Sequence, residues 1–151
     1  MQNAWGRIVW IFLHTFAEKI NPDFFKSNIN TCLDLVTNIC YNLPCPICST
    51  HARQFLQKHK IRQWIKTKED FKRYLYMFHN NANTKTRKAS PKADILDMYK
   101  RAVFSRVASA FYRTYTGKAS VTRAYTDKMS RIGVAKNVMS FLQNNYKFFS
   151  N

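Results

Sequence analysis

An all-α fold is what this chain of 151 residues predicts, and three observations carry that expectation. Apolar residues make up 46% of the sequence, enough to build a packed core. Only three glycines and four prolines interrupt it, too little turn chemistry for a many-stranded β fold. The apolar positions recur at helical spacing in segments with short connections. That is the pattern of a four-helix bundle with a short fifth helix and a C-terminal helical extension.

The first helix is predicted over 4–20, where Trp5, Phe12, Leu13, Phe16, Ala17 and Ile20 keep helical spacing until Asn21-Pro22. The second covers 23–41 through Phe24, Phe25, Ile29, Leu33, Val36 and Ile39, and Asn42-Leu43-Pro44 stops it. The third starts at Cys45-Pro46-Ile47-Cys48 and runs through His51, Ala52, Phe55 and Leu56 to about residue 60. Pro46 suits the first helical position, because no N–H is lost there, so Cys45 falls at the N-cap and Cys48 one turn inside. The fourth spans 68–87 on Phe71, Leu75, Phe78 and Ala82. Ser90-Pro91 opens a fifth, 92–115, through Ile95, Leu96, Met98, Tyr99, Val103, Phe104 and Val107. After an interruption at Thr116-Gly117-Lys118, a last amphipathic stretch, 126–149, carries Met129, Ile132, Val138, Phe141, Leu142 and Tyr146. The division expected is a domain over 1–100 and a basic helical extension over 101–151.

The formal charge of +17 points to acidic partners such as nucleic acid, phospholipid headgroups or an acidic protein, or else to a solvated basic face. It is uneven, since Asp127 is the sole acid after residue 100. The apolar opening Ile8-Val9-Trp10-Ile11-Phe12-Leu13 lacks a basic n-region and a small-residue cleavage site. No run approaches the ~20 apolar residues that span a bilayer, so the expectation is a soluble chain with no cleaved address.

Cys45 and Cys48 at i and i+3 of a helix start lie within disulfide reach. Free backbone N–H groups and the positive helix end favour a thiolate at the first of them, making Cys45 the better nucleophile and Cys48 the more buried partner. Cys40, Cys45, Cys48 and His51 also supply four soft ligands within twelve residues, which keeps a zinc site open as an alternative. Cys32 and Cys40, about 12 Å apart by helical rise, cannot bridge each other and are expected as small buried apolar residues.

Two polar clusters sit badly in a plain bundle. Arg7, Trp10 and His14 share a face of the first helix, and His79, Asn80 and Asn83 share a turn of the fourth, with Arg87 a turn further on. Rings to stack, amides to hydrogen-bond and cations for phosphates are what a flavin dinucleotide would use between helices.

These residues resemble a known family. Gly6-Arg7-Ile-Val-Trp10-Ile-Phe-Leu13-His14-Thr15-Phe-Ala17, Pro44-Cys45-Pro-Ile-Cys48 and His79-Asn80-Asn-Ala-Asn83-Thr-Lys-Thr-Arg-Lys88 resemble, in order, the three signatures of the Erv/ALR FAD-linked sulfhydryl oxidases. The likeness covers residues 5 to about 100. It implies a bundle holding FAD noncovalently, with Gly6, Arg7, Trp10, His14, His79, Asn80, Asn83, Arg87, Lys88 and Tyr99 about the cofactor. Cys48 would face the isoalloxazine as the charge-transfer thiolate and Cys45 would exchange with substrate. The implied reaction is dithiol to disulfide, with electrons passing through FAD to O2 and yielding hydrogen peroxide.

The departures are specific. The positions of the family's structural cysteine pair fall on Tyr76 and Ala93, its Leu-Gly falls on Thr86-Arg87, and Tyr99 approximates its Trp. No cysteine follows Cys48 and no second Cys-x-x-Cys precedes it, so the shuttle disulfide of cellular members is missing. The lean pattern resembles oxidases of large DNA viruses, implying work in host-cytoplasm assembly sites or in virions. A thioredoxin-like or other dithiol protein is the implied substrate, and a homodimer the implied assembly. The alternative from another class is a basic helical module binding nucleic acid or zinc.

Overall fold

The computed structural model describes residues 4–117 and 124–151, with side chains in the second stretch from 128 onward. Its elements are α1 (Ala4–Lys19), α2 (Pro22–Ser27), α3 (Ile29–Tyr41), α4 (Pro46–Lys58), α5 (Ile61–Trp64), α6 (Lys68–Lys85), a 3-10 segment (Ala93–Arg101), α7 (Phe104–Tyr115), α8 (Ala124–Asn144) and a 3-10 turn (Tyr146–Phe148). Among the described residues there is no strand beyond an isolated bridge between Ile20 and Phe149, so the fold is all-α. Lys118 and Arg123, which add to the charge of the last third, lie outside the described residues, as do the side chains of Tyr125 and Asp127.

Local chemistry sets most helix starts. Pro22 and Pro46 occupy first helical positions behind Asn21 and Cys45, whose side chains accept from backbone N–H groups. Thr67 and Asp70 close a capping box on α6, each side chain accepting the other's backbone N–H.

Two predicted helices divide. The span 23–41 breaks at Asn28, whose side-chain amide and backbone N–H both bond the Phe24 carbonyl and end α2 before α3 begins. The span 92–115 becomes the 3-10 segment and α7, with Ala102 and Val103 extended between them. Tyr99 and Phe104 are thereby buried in different places, Tyr99 beside the cavity described below and Phe104 in the core. The 21-residue length of α8 ends at Asn144, five residues short of the predicted stretch.

The core forms around α1, which packs against α6 on one side and α7 on the other. Phe12, Phe16, Phe25, Phe71 and Phe111 are each about fully buried, and the Phe12 and Phe111 rings stack at 4.2 Å. Each such ring contributes roughly 1.5–3 kcal/mol by burial alone. Phe111 and Tyr115 of α7 belong to the same core as α1 and α3, and the Tyr115 hydroxyl donates to the Ile39 carbonyl at 3.2 Å. The buried Lys19 ammonium donates to the carbonyls of Lys100 and Asn151, fastening the end of α1 to the 3-10 segment and the chain end. No described helix is long and apolar enough to cross a membrane.

Candidate functional site

One cavity of about 640 Å³ opens between α1, α4, α6 and the 3-10 segment. That lies within the ~300–1,000 Å³ typical of small-molecule and cofactor sites. Trp5, Gly6, Arg7 and Trp10 come from α1; Cys48 and His51 from α4; His79, Asn83 and Lys85 from α6; Lys88 from the loop beyond; Met98 and Tyr99 from the 3-10 segment.

Stacked rings build one wall. Trp10 lies parallel to His79, with centroids 4.2 Å apart and planes 6° apart, and Phe78 meets Trp10 edge-on at 4.9 Å. Behind His79, the buried His14 stacks on Tyr99 at 4.9 Å, and its Nε2 lies 3.0 Å from His79 Nδ1. One ring donates an N–H and the other accepts on a bare nitrogen, so a doubly charged pair would lose this bond. Burial, then the charge of His79, lowers His14 to about 3. Burial, then the Lys88 ammonium, lowers His79 to about 4. Both imidazoles are neutral near pH 7.

Lys88 is held by the end of α6. Its N–H donates to the Asn83 carbonyl at 2.8 Å and the Arg87 N–H donates to the Thr84 carbonyl at 3.1 Å, the paired bonds of a Schellman motif. That motif needs a left-handed residue after the cap, and Arg87 takes it with φ 57°. Arg87 stands where the resembled pattern has glycine, so the backbone shape is kept at a steric cost. Tyr76, at one of the missing cysteine positions, donates its hydroxyl to the Pro91 carbonyl at 2.6 Å and tethers the same loop.

Cys45 and Cys48 are both half-buried free thiols. Cys45 caps α4, and the Cys48 N–H donates to Cys45 Sγ at 3.4 Å. The Cys48 thiol is pushed up to about 12 by burial, then by the hydrogen bond and charge of Cys45, with Lys88 acting against them. Burial, and after it the neighbouring sulfur, therefore keeps the proton on Cys48 while both sulfurs are reduced.

Of the residues singled out from the sequence, Gly6, Arg7, Trp10, Cys48, His79, Asn83, Lys88 and Tyr99 line the cavity. His14 stands one layer behind, holding His79. Asn80 and Arg87 are not in the wall; the Asn80 carbonyl accepts from the Thr84 hydroxyl within α6. Cys45 is also outside it, at the helix cap. Trp5, Leu43, His51, Asn81, Lys85 and Met98 line the cavity without having been predicted to. Trp5, Val9 and Leu13 repeat every four residues, a signal that could have found Trp5. Met98 belongs to the apolar series of the predicted fifth helix, but it lies in a 3-10 segment, whose three-residue turn gives its side chain a direction a helical count does not. Among the described residues no group of three or more His, Cys, Asp or Glu side chains could hold a metal ion, so Cys40, Cys45, Cys48 and His51 do not converge into a zinc site.

Comparison with known proteins agrees with this geometry. The profile of the Erv1/Alr family matches residues 7–103. A FAD-linked sulfhydryl oxidase of African swine fever virus, from a tick isolate of Malawi, is 24% identical over 104 residues, covering 68% of this chain and 86% of that protein. A second, from a pig isolate of Kenya, is 30% identical over 89 residues, covering 56% and 69%. A probable FAD-linked sulfhydryl oxidase of fowlpox virus is 40% identical over 57 residues; that match spans 38% of this chain and 55% of its relative, little more than half. No solved structure gives a significant match.

Proposed function

The chain belongs to the Erv1/Alr family, and on that premise we propose how it works: it is a FAD-dependent thiol oxidase in which Cys45 meets the substrate and Cys48 faces the cofactor. The observation that carries this assignment is that Cys48 opens on the same cavity as Trp10, His79 and Lys88, while its partner Cys45 lies outside.

The cavity suits a flavin dinucleotide. Gly6 lies in the first turn of α1, and a Cβ there would meet nothing within 4 Å. The protein's own packing does not demand the glycine, which leaves that face of α1 open to a flat ligand. Trp10, His79 and Tyr99 offer ring faces, Asn83 an amide, and Arg7 and Lys88 cations for a pyrophosphate.

The residues then divide the work. A substrate thiolate attacks Cys45 Sγ of the Cys45–Cys48 disulfide, forming a mixed disulfide with Cys45 and releasing Cys48 as a thiolate. The second substrate thiolate attacks the substrate sulfur of that mixed disulfide, expels Cys45 as a thiolate and leaves the substrate oxidised. FAD held in the cavity would supply the two-electron acceptor that lets the Cys45–Cys48 dithiol close again to its disulfide, with O2 as final acceptor and hydrogen peroxide as product. Lys88 favours the Cys48 thiolate at the moment of transfer, since its charge opposes the burial that holds the proton on. His14 and His79 contribute as a neutral, hydrogen-bonded pair that keeps the wall planar without placing charge against the cofactor.

The named relatives are viral oxidases; we further propose a cytoplasmic assembly site as the place of work, a reducing compartment where disulfides need a dedicated oxidase, with a thioredoxin-like carrier as immediate substrate and a homodimer as the working assembly. The decisive experiment substitutes the inner sulfur. Cys48→Ser should retain yellow, FAD-bound protein and lose all dithiol-dependent hydrogen peroxide formation; full activity in that variant would sink the mechanism.

A further inference from the structure

Two stretches that help build the redox site carry no carboxylate, although the 3-10 segment holds Asp94 and Asp97. Residues 35–68, which include α4 and both reactive cysteines, contain no Asp or Glu, and neither do residues 71–93, which include most of α6 and the Lys88 loop. Of the acids bordering these stretches, Asp34 pairs with Arg62, Glu69 with Lys72 and Asp70 with Arg73, while Asp94 is exposed and in no ion pair among the described residues; further off, Glu18 pairs with Lys72 and Asp97 with Lys100. Among the described residues Arg53, Lys58, Arg87 and Lys92 are exposed and pair with no carboxylate. The Arg53 guanidinium stacks 4.1 Å over the ring of Tyr41, a residue four before Cys45 in sequence. These cations remain after Arg7 and Lys88 are assigned to the cofactor.

The first turn of α4 carries an exposed apolar side chain. Ile47 lies between the two cysteines and is 64% exposed, among the most exposed large hydrophobic residues described. A protein whose thiolate reaches Cys45 Sγ covers it. A desolvated apolar contact inside a charged rim is the usual anatomy of a docking site.

We propose that the dithiol substrate of Cys45 is an acidic polypeptide, drawn to α4 by its uncompensated cations and seated on Ile47. This rests on the thiol-oxidase assignment above and names the class of substrate for that same site. Unpaired charge of one sign raises encounter rates with an oppositely charged partner by ~10–1,000-fold at low salt and loses that advantage once the screening length drops to a few ångströms. Selection among cellular dithiols then comes from charge, while the exchange at Cys45 is unchanged.

The test uses the FAD-loaded full chain and three probes: a Cys-x-x-Cys peptide flanked by Asp and Glu, the same peptide flanked by Lys, and dithiothreitol. The acidic peptide should show kcat/KM at least ~10-fold above the basic one at ~20 mM salt, converging at ~0.5 M, with dithiothreitol oxidation flat across that range. Anisotropy of labelled acidic peptide carrying Ser for Cys should show the same salt dependence without turnover. Combining Arg53→Glu with Lys58→Glu should reduce the acidic preference several-fold and leave dithiothreitol oxidation intact, and Ile47→Ser should slow both peptides while sparing dithiothreitol. Equal rates for the two peptides at low salt, a preference that survives ~0.5 M salt, or duplex DNA binding tightly while the peptides go undiscriminated would each overturn the proposal. Loss of dithiothreitol oxidation in the unmodified protein would instead overturn the oxidase assignment beneath it.

Discussion

His14 Nε2 and His79 Nδ1, sixty-five residues apart in sequence, meet at 3.0 Å across the interface of α1 and α6. The bond needs at least one bare ring nitrogen. It ties the ring that stacks on Tyr99 to the ring that stacks on Trp10, so one hydrogen bond aligns two walls of the cavity.

The pair makes stability depend on pH. Folding lowers both pKa values below the ordinary 6.5, His14 to about 3 and His79 to about 4. The unfolded chain therefore binds more protons than the folded one between those values and 6.5, and stability rises with pH across that window. It is fully present above about pH 6.5 and is lost progressively as pH falls toward 4 and then 3. Thermal midpoints measured from pH 7 to pH 4 should fall steadily, and His79→Asn, which titrates nowhere in this range, should flatten the curve. A midpoint independent of pH over that interval would show that the imidazoles are not buried as neutral partners.

Arg87 carries a backbone conformation better suited to glycine. Arg87→Gly should raise the thermal midpoint by the equivalent of about 1 kcal/mol, since the left-handed strain of a side chain costs roughly 1–2 kcal/mol and glycine returns part of that as added freedom when unfolded. Calorimetry reads the sign directly; a drop in midpoint would mean that contacts of the Arg87 side chain outweigh the strain.

Phe111 should behave as a core residue. It is fully buried, stacks on Phe12 and lies in α7, beyond the residues that carry the redox signatures. Phe111→Ala is expected to destabilise the whole chain by about 3–5 kcal/mol in a single cooperative transition. Two separate denaturation transitions, with only one shifted, would indicate that α7 folds apart from the bundle.

The four cysteines should label unequally. Cys32 and Cys40 are buried and their thiols pushed up to about 12 by that burial, so they present almost no thiolate. In native, reduced protein, iodoacetamide near neutral pH should modify Cys45 first, Cys48 more slowly, and Cys32 or Cys40 only after denaturant is added. Peptide mapping by mass spectrometry distinguishes the four, and early modification of Cys40 would contradict its burial.

Much of the site was legible because its signals are local. Pro46 after Cys45 dictates a helix start, and the cap it produces depends on atoms within three residues of one another. Helical spacing likewise placed Arg7 with Trp10, and His79 with Asn83, on the faces that line the cavity. Asn28 escaped notice because Asn is compatible with a helix interior, and only the bonds it makes to Phe24 turn it into a stop. The division between the 3-10 segment and α7 escaped for a different reason. The apolar series through Tyr99, Val103 and Phe104 is continuous as a pattern, but Tyr99 stacks on His14 while Phe104 enters the core.

By itself, then, the sequence determined the helical class, the capped Cys45–Cys48 pair and the residue types a flavin site requires, because hydrogen bonds and periodicities within one or two turns decide those features. Only the tertiary structure decided that His14 holds His79 and that α7 shares the core of α1. Those outcomes depend on segments that meet only when loops of many residues close. The free energy that selects among such meetings comes from burial and pairing summed over the whole chain.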